Sequence, residues 1–505
     1  MISNLPTADL LSATLAQTDF LPRLPQQRRL YEAAKTAILS QQLSAGCKLP
    51  STRNLAKDLG IARNTIIAAF EQLAAEGFVV TSTGSGTYVS ATLPTAPRPK
   101  GKPKETPSSP PHAPFAGPAP LSKRGAQLTD FAAGERYEIQ PFAPGDCDFS
   151  TFPYKIWQRL QNRVWRDSWS ELLDYGKAGG YLPLRRAIAE YLRVSRSVKV
   201  SIDQVMITAG TQQSLDLCAQ LLADVGDTAW VENPCYWGTR RVFESCDLHL
   251  HPIAVDAEGI APTESDLASK PRLIYVTPSH QYPTGVVMSL ARRRMLLELA
   301  EQERAWILED DYDSEFRYTG RPLAALQGLD TRGRVVYMGT FSKVLYPGIK
   351  VGYLVVPPAL VEPFKSALYD LHRPGQLMIQ AALADFIALG HFTTHIRKIR
   401  QAYGAKRELL RKTLVAQLGN NISISGEESG LHLVIELPDH VDDVALAALA
   451  AESGIAVKPL SNYYLQQPAR RGLLVGYAYV NIDKISYYGK LLAHVIQAGA
   501  GTCSR

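Results

Sequence analysis

The sequence predicts a large α/β domain with a mainly parallel sheet, preceded by a small α+β unit. Two observations support this prediction. Helical and strand-like segments alternate from residue 126 to residue 505, which is the pattern of domains built on parallel strands. A stretch with ten prolines, from Pro94 to Pro120, separates this part from an N-terminal segment with a different pattern.

The composition is that of a folded protein, with 46% hydrophobic and 20% charged residues in a chain of 505. The net charge of +6 is unevenly distributed. Residues 1–90 hold eight basic and six acidic side chains, residues 91–125 hold six and one, and residues 126–505 hold 40 and 41. We therefore expect an anionic partner for the N-terminal quarter of the chain.

Several classes of protein are excluded at this stage. The sequence has no apolar run long enough to span a membrane, and its N-terminus lacks the segments of a signal peptide. The six cysteines are scattered, so neither a disulfide framework nor a metal site is predicted. We expect a cytoplasmic protein without a membrane partner.

The composition predicts three parts, with limits at 20–90, 91–125 and 126–505. The middle part is predicted to be an extended, basic linker, because proline removes backbone donors and fixes φ. Our main interpretation of this linker is a spacer, and direct contact with nucleic acid is the alternative.

Three helices are predicted in the N-terminal part. Gln26–Gln42 has an apolar stripe with helical period, and Ser51 is a suitable N-cap for a second helix that ends at Gly60. A third helix begins at residues 61–65 and is stopped by Gly77.

A β-hairpin is predicted after the third helix. Residues 78–82 and 87–89 read as strands around a glycine-rich turn, so the order of elements is that of a winged helix-turn-helix. The third helix would present Arg63, Asn64 and Thr65 near its N-terminus, where phosphate is favoured. Arg and Asn side chains also read base edges.

The residues of three segments indicate DNA binding more specifically than the order of helices and strands does. Residues 49–56, 62–66 and 75–78 closely resemble the GntR family of bacterial winged-helix repressors. Most members carry Ser at the position of Ala62, so a hydroxyl that contacts phosphate is missing here. The resemblance implies a double-stranded DNA operator as partner, with DNA-binding residues Ser51, Thr52, Arg53, Arg63, Asn64, Thr65 and, in the hairpin turn, Ser85.

The larger part of the chain has apolar, strand-like runs at residues 204–208, 228–231, 272–276, 305–309 and 334–338. Folds of this kind bind ligands at the carboxyl ends of their strands. Four of the five ends carry side chains whose chemistry is compatible with one ligand.

Each of these four ends also has a plain structural explanation. Gly210 and Thr211 open a helix, and Tyr236 lies on a turn. Asp310 is the middle of three carboxylates, which is costly unless a cation or metal sits there. Lys343 is compatible with an ordinary ion pair.

Together, the four ends match the requirements of pyridoxal 5′-phosphate (PLP). PLP needs a phosphate cradle, a platform for its ring, a carboxylate for its pyridine nitrogen and a lysine for a Schiff base. The candidates are, in that order, Gly210, Thr211 and Thr340, then Tyr236, then Asp310, and finally Lys343.

Further segments resemble fold-type I aminotransferases, in the order of that family: residues 175–185, 211–212, 277–285 and 342–343, followed by Gly352. The resemblance implies a fold-type I, PLP-dependent aminotransferase-like domain. With the family pattern in view, the candidate cofactor-binding residues also include Gln212, Tyr282, Tyr312, Ser342, Lys350 and Tyr175.

The fusion of a GntR-like head with such a body is similar to the MocR/GabR family of bacterial transcription regulators. This resemblance implies a homodimer with a head-to-tail arrangement, in which Tyr175 reaches the phosphate site of the neighbouring subunit. It also implies a small-molecule effector, which would be PLP itself, an amine or an amino acid.

The sequence departs from the aminotransferases at several positions. Tyr282 stands where an Asn normally bonds the phenolic oxygen of PLP, and Tyr312 is a candidate replacement. Lys350 replaces an Arg at the phosphate. Leu474 occupies the place of the Arg that binds a substrate α-carboxylate, and Gly238 that of a second Arg in the GABA-responsive member.

These departures favour a regulator that uses PLP as a sensor. The alternative is a PLP-dependent aminotransferase with an appended DNA-binding head, and a third hypothesis is a body that only dimerises the heads. In the favoured hypothesis, ligand binding changes the conformation of the body, and the linker passes this change to the paired heads.

Overall fold

The computed structural model describes residues 7–17, 24–82, 85–91, 121–122, 124–126, 140–167, 169–318, 323–373, 375–419 and 423–502. Its contacts divide the chain into two compact units, Met1–Pro118 and Ala119–Arg505. The predicted limits at residues 20, 90 and 126 remain predictions. Most of the predicted linker, from residue 92 to residue 120, lies outside the described residues.

The described part of the N-terminal unit consists of helices and one hairpin. The helices are α1 (Thr7–Gln17), α2 (Gln26–Leu39), α3 (Thr52–Leu59) and α4 (Arg63–Ala75), and the hairpin joins β1 (Val79–Ser82) to β2 (Gly86–Val89). Helix α1 is an addition to the sequence prediction. Its Leu11 is fully buried and packs in one core cluster with Leu30 and Ile66.

Helices α3 and α4 begin and end for local reasons. The Ser51 hydroxyl accepts a hydrogen bond from the Asn54 amide at 3.2 Å, and Gly60 ends α3 with a φ of 65°. Ala62, the N-cap of α4, offers no side-chain hydrogen bond. The antiparallel pairing of β1 with β2 completes the predicted winged helix-turn-helix, which is thus confirmed.

The central sheet of the second unit contains the candidate site. Its strands are, in chain order, β3 (Val205–Thr208), β4 (Thr228–Asn233), β5 (His249–Asp256), β6 (Gly259–Ile260), β7 (Leu273–Val276), β8 (Trp306–Asp311), β9 (Val335–Thr340) and β10 (Gly352–Val355). They line up in the order β3-β10-β9-β8-β7-β4-β5-β6.

The predicted mainly parallel sheet is confirmed. Strands β5, β4, β7, β8 and β9 are parallel neighbours, whereas β10 is antiparallel to both β3 and β9. Strands β5, β6 and β10 were not among the predicted runs. Strand β5 is largely exposed or half-buried, so it lacks a continuous apolar signal.

Helices cover this sheet, and alternate residues of its strands enter different core clusters, as Val205 and Met206 do. The described helices of this unit are α5 (Tyr154–Asp167), α6 (Trp169–Leu172), α7 (Leu182–Ser195), α8 (Thr211–Leu222), α9 (Trp237–Ser245), α10 (Glu264–Leu267), α11 (Leu290–Gln302), α12 (Leu326–Leu329), α13 (Val361–His372), α14 (Leu377–Ala388), α15 (His391–Leu418), α16 (Asp443–Glu452) and α17 (Ile482–Thr502).

A second, antiparallel sheet lies near the C-terminus. It consists of β11 (Ile424–Ser425), β12 (His432–Leu437), β13 (Lys458–Pro459) and β14 (Arg471–Gly476), in the order β11-β12-β14-β13. The Gly476 amide donates to the Phe142 carbonyl at 2.9 Å, so the segment before α5 packs on β14.

In the part of the chain that the structure describes, no single helix is long and apolar enough to cross a membrane. One bent pair, α14 with α15 at an angle of 77°, satisfies the length and composition criteria when the two are taken together.

Candidate cofactor site and DNA-binding surface

Lys343 lies three residues after the end of β9, at the carboxyl edge of the parallel strands. Its Nζ donates a hydrogen bond to the Gly145 carbonyl at 2.9 Å. The Cys147 thiol donates to the Lys343 carbonyl at 3.0 Å. These contacts hold the lysine at the same edge of the sheet as the end of β8, where Asp310 is found.

Asp310 is buried and only half satisfied by the protein. Its Oδ2 accepts a hydrogen bond from the Tyr275 hydroxyl at 2.8 Å, whereas its Oδ1 is buried without a partner. Burial raises the pKa of Asp310 to about 7, and the positive charge of Lys343 acts in the opposite direction. A protonated pyridine nitrogen would supply the missing donor, so the residues present fit PLP.

The three carboxylates at the end of β8 are separated by the alternation of the strand. Glu309 accepts two backbone amides at the start of α12, each at 2.8 Å. Asp311 pairs with Arg196 at 2.8 Å and accepts from Tyr337 at 2.6 Å. Arg196 is therefore the cation that this cluster requires. Within the described ranges, no group of three or more His, Cys, Asp or Glu side chains could hold a metal ion.

The predicted phosphate cradle converges around Gly352. This residue pairs with Thr340 across β9 and β10, and a Cβ on it would lie 2.8 Å from the Cα of Gly210. Gly210 has a φ of 112° and directly precedes Thr211, the first residue of α8. The structure thus brings Gly210, Thr211 and Thr340 to one place, with Ser342 bonded through its amide to the Thr340 hydroxyl at 3.2 Å.

Lys350 lies two residues before Gly352 in the chain. It is exposed, has a φ of 48°, and lines a cavity together with Thr208, Ala209 and Arg373. Ala209, which shares this cavity with Lys350, directly precedes Gly210. The role of Lys350 at a phosphate group remains a prediction.

Aromatic side chains form one wall of the site. The Tyr236 hydroxyl accepts from Gln212 at 3.2 Å. The Tyr282 ring makes edge-to-face contacts with Tyr236 and Tyr312, both at 5.7 Å. The Tyr282 hydroxyl lies 3.2 Å from that of Tyr463. The structure therefore brings together Tyr236, Tyr282 and Tyr312, which the sequence predicted as parts of one site.

Gly238 leaves no room for the second arginine of the GABA-responsive member. A Cβ at this position would lie 2.5 Å from the Tyr236 ring and would also collide with the Gln212 amide. The glycine allows these two side chains to occupy the space.

Leu474 is fully buried in β14 and packs in an apolar cluster with Val434, Leu460 and Tyr464, which the ring of Tyr282 also contacts. Two arginines that are close in sequence, Arg470 and Arg471, do not replace the carboxylate-binding arginine at the position of Leu474, because each pairs with an acidic residue. Arg470 pairs with Glu436 at 3.2 Å and Arg471 pairs with Asp443 at 3.4 Å.

Tyr175 is 62% exposed. Its ring faces the Arg373 guanidinium at 5.8 Å. Its expected role toward a neighbouring subunit remains a prediction.

Sequence reasoning missed Tyr275, His280 and Asp313. Tyr275 bonds Asp310 from the neighbouring strand, and His280 bonds both Asp313 and Tyr312. His280 lies inside a motif that we recognised, but its role depends on partners from another segment.

The candidate DNA-binding residues at the start of α3 and at the start of α4 are neighbours in space. Arg63 is the first residue of α4, and its Nε lies 3.4 Å from the Thr52 hydroxyl of α3. Ser51, Arg53, Arg63 and Asn64 are exposed, whereas Thr52 and Thr65 are half-buried. In the wing, the exposed Ser85 hydroxyl lies 2.7 Å from that of Tyr88.

Comparison with known proteins identifies both units. The family described as "Aminotransferase class I and II" matches residues 141–477, and "Bacterial regulatory proteins, gntR family" matches residues 26–89. The chain is 39% identical over 463 residues to the "Probable rhizopine catabolism regulatory protein MocR" of Rhizobium meliloti, covering 90% of each chain.

Solved structures show the same fold for the body. A kynurenine aminotransferase of Pyrococcus horikoshii matches with a TM-score of 0.68 and 27% identity, covering 75% of this chain and 97% of that one. LysN of Thermus thermophilus, in complex with N-(5′-phosphopyridoxyl)-L-leucine, matches with a TM-score of 0.68 and 25% identity, covering 76% and 98%.

Fold and site thus define a PLP-dependent DNA-binding regulator with an aminotransferase-like body of fold type I. The chain belongs to the MocR-type transcription regulators of the GntR family. The same matches favour a regulator over an aminotransferase with an appended head.

Proposed function

We propose that this protein is a homodimeric regulator whose affinity for its operator changes when PLP, or a small amine that reacts with PLP, occupies the body. The observation that carries this proposal is the pair formed by Lys343 and Asp310. An amine and a buried carboxylate with an unpartnered oxygen occupy the same edge of the sheet. This is the arrangement that PLP requires.

The residues of the site have distinct roles in this proposal. Lys343 would bind the PLP aldehyde, Asp310 would hold a proton at the pyridine nitrogen, and Tyr236 would pack on the ring. Tyr312 and Tyr282 would line the phenolic side. The phosphate would be held by six residues of the same chain, Gly210, Thr211, Gln212, Thr340, Ser342 and Lys350. Tyr175 of the partner subunit would complete this set. When bound, PLP supplies an aldehyde that condenses with primary amines and a ring that withdraws electrons.

The effector is proposed to be PLP itself or an amine that lacks an α-carboxylate. Leu474 fills the carboxylate position with an apolar side chain, and Gly238 leaves the second position to Gln212 and Tyr236. Burial of a carboxylate against Leu474 without a cation would be costly.

A matched pair of compounds tests this preference. Ethylamine and L-alanine present the same amine with and without a carboxylate, and the visible absorption of PLP-loaded protein reports their reaction. We expect ethylamine to alter the spectrum at lower concentration. A lower effective concentration for L-alanine contradicts the proposed effector class, and Leu474→Arg is expected to shift the preference toward L-alanine.

A homodimer is proposed because large apolar side chains are exposed on the body. Tyr154, Trp165, Leu173, Tyr175 and Leu182 are between 49% and 63% exposed. A second copy that covers them would add Tyr175 to the neighbouring site, with the heads arranged head-to-tail. Light scattering of the full chain tests this: a monomer at micromolar concentration would contradict it.

The linker is proposed to transmit a conformational change of the body to the two heads. The spacing between the heads then either fits the spacing of the two halves of the operator or does not. A ligand changes this equilibrium only if it binds the two conformations with different affinity. DNA as partner places the protein in the cytoplasm in this proposal.

The alternative activity is tested on the same protein. If PLP-loaded protein transferred amino groups to 2-oxo acids over many turnovers, a purely regulatory role would be wrong. We expect at most a single turnover per site.

A further inference from the structure

His280 and Asp313 form a buried pair, and His280 also contacts Tyr312. One ring nitrogen, His280 Nδ1, lies 2.8 Å from Asp313 Oδ2 and 3.0 Å from the Tyr312 hydroxyl. His280 and Asp313 are each 1% exposed. A Cβ on Gly430 would lie 2.9 Å from Asp313 Oδ2, so the backbone there encloses the pair.

These distances determine which nitrogen of His280 carries a proton. A carboxylate only accepts hydrogen bonds, so His280 Nδ1 must be protonated and donate to Asp313. A protonated Nδ1 cannot accept a hydrogen bond, so the Tyr312 hydroxyl does not donate to it, and the Tyr312 oxygen shares its single N–H with Asp313. The hydroxyl proton of Tyr312 is therefore not used on His280 and remains available to another acceptor.

Two further ionisable groups of the site act on this cluster: Asp310 interacts electrostatically with Asp313 and Tyr312, and Lys343 interacts with His432. His432 lies 5.4 Å from His280, and burial lowers its pKa to about 3, so it is neutral near pH 7. Its Nε2 is 2.9 Å from the Pro283 carbonyl. The hydroxyls of Tyr318 and Tyr477 both donate to the Gly430 carbonyl. Among the described neighbours, Asp313 is the anion that orients His280.

We propose that Asp313 and His280 are positioning residues that keep the Tyr312 proton available to the phenolic oxygen of bound PLP. This inference rests on the proposed function, because it requires PLP at Lys343 and Asp310. It explains how the site operates with Tyr282 in place of the usual Asn: the Tyr282 hydroxyl lies against Tyr463, and Tyr312 donates instead.

The test uses two amide substitutions that differ in one feature. His280→Asn retains a nitrogen on Cγ, in the position of Nδ1, whereas His280→Gln moves the amide one carbon further. Each full-length variant is loaded with PLP, and its visible absorption is titrated against pH. A donor at the phenolic oxygen favours the deprotonated chromophore, because it stabilises the negative charge there.

Tyr312→Phe provides the reference, with a pH midpoint expected about one unit higher than in the wild type. We expect the pH midpoint of His280→Gln to be higher than that of the wild type as well. The midpoint of His280→Asn should remain close to the wild-type value. The double variant Tyr312→Phe/His280→Gln should match Tyr312→Phe alone, because His280 acts through Tyr312.

Two results would overturn the inference: equal midpoints for the Asn and Gln variants, or additive shifts in the double variant. The proposed function fails separately, if the wild type gains no visible band with PLP. Melting temperatures confirm that each variant is folded before its spectrum is compared.

Discussion

The Tyr275 hydroxyl donates a 2.8 Å hydrogen bond to Asp310 Oδ2 between the neighbouring parallel strands β7 and β8. This bond lowers the pKa of a carboxyl that burial raises to about 7. Asp310 can therefore hold a negative charge for the pyridine nitrogen of PLP while it remains buried.

Replacement of Tyr275 by Phe is expected to weaken PLP binding about tenfold at pH 7.5, because the loss of one bond to a charged group costs about 1.5 kcal/mol. Absorbance titration with PLP measures this change. Tyr337→Phe is the matched control, since it removes a similar bond from Asp311 instead. Equal affinities for the two variants would contradict the role of Tyr275.

The stability of the PLP-free protein should fall as the pH rises. Burial raises the pKa values of Asp310, Glu232 and Glu315 to about 7. Their protonated forms stabilise the folded state fully below the ordinary carboxyl pKa near 4, and this contribution is lost as the pH passes 7.

Melting temperatures between pH 5.5 and 8 measure this effect. The slope should be shallower in Asp310→Asn, and it should be unchanged in Asp439→Asn, where the replaced residue is exposed. A melting temperature of the wild type that rises over this range would show that the sign is wrong.

Gly238→Ala should weaken PLP binding by roughly tenfold or more, because its Cβ displaces the Tyr236 ring and the Gln212 amide. Gly348→Ala is the control, as its Cβ would make ordinary contacts at 3.7 Å with Tyr346. Both variants are titrated with PLP. Unaltered affinity in Gly238→Ala would indicate that neither side chain contributes to the site.

On the head, Arg63→Ala is expected to cost about 1–3 kcal/mol in operator binding, the range for one base-reading side chain. Thr52→Ala should cost less, because Thr52 touches Arg63 from α3. Fluorescence anisotropy gives both affinities. Lys57→Ala removes one positive charge from α3 instead of α4, and an equal loss of affinity in that variant would indicate a purely electrostatic effect.

The sequence predicted the fold where the local signal was strong. Ser51 and Gly60 delimit α3, and the continuous apolar runs became the parallel strands of the central sheet. Strand β5, which is largely exposed or half-buried, and helix α1 lacked such a signal. Tyr236, Asp310 and Lys343 were found because strand ends of a parallel sheet meet at one edge.

The rest of the site depends on contacts between distant segments. Pairing of His280 with Asp313 requires the loops after β7 and β8 to meet. The crowding of Glu309, Asp310 and Asp311 suggested a need for a cation, and the structure meets it with Arg196, more than 100 residues earlier. No pattern in a single segment identifies such a partner.

The central claim is that PLP bound at Lys343 controls DNA binding. The most direct test measures the affinity of the full-length protein for a DNA fragment that it selects from a random pool, with and without PLP, in the wild type and in Lys343→Ala. We predict that PLP changes the Kd of the wild type by roughly fivefold or more and leaves that of Lys343→Ala unchanged. An equal response of both proteins, or no response of the wild type, would contradict the account.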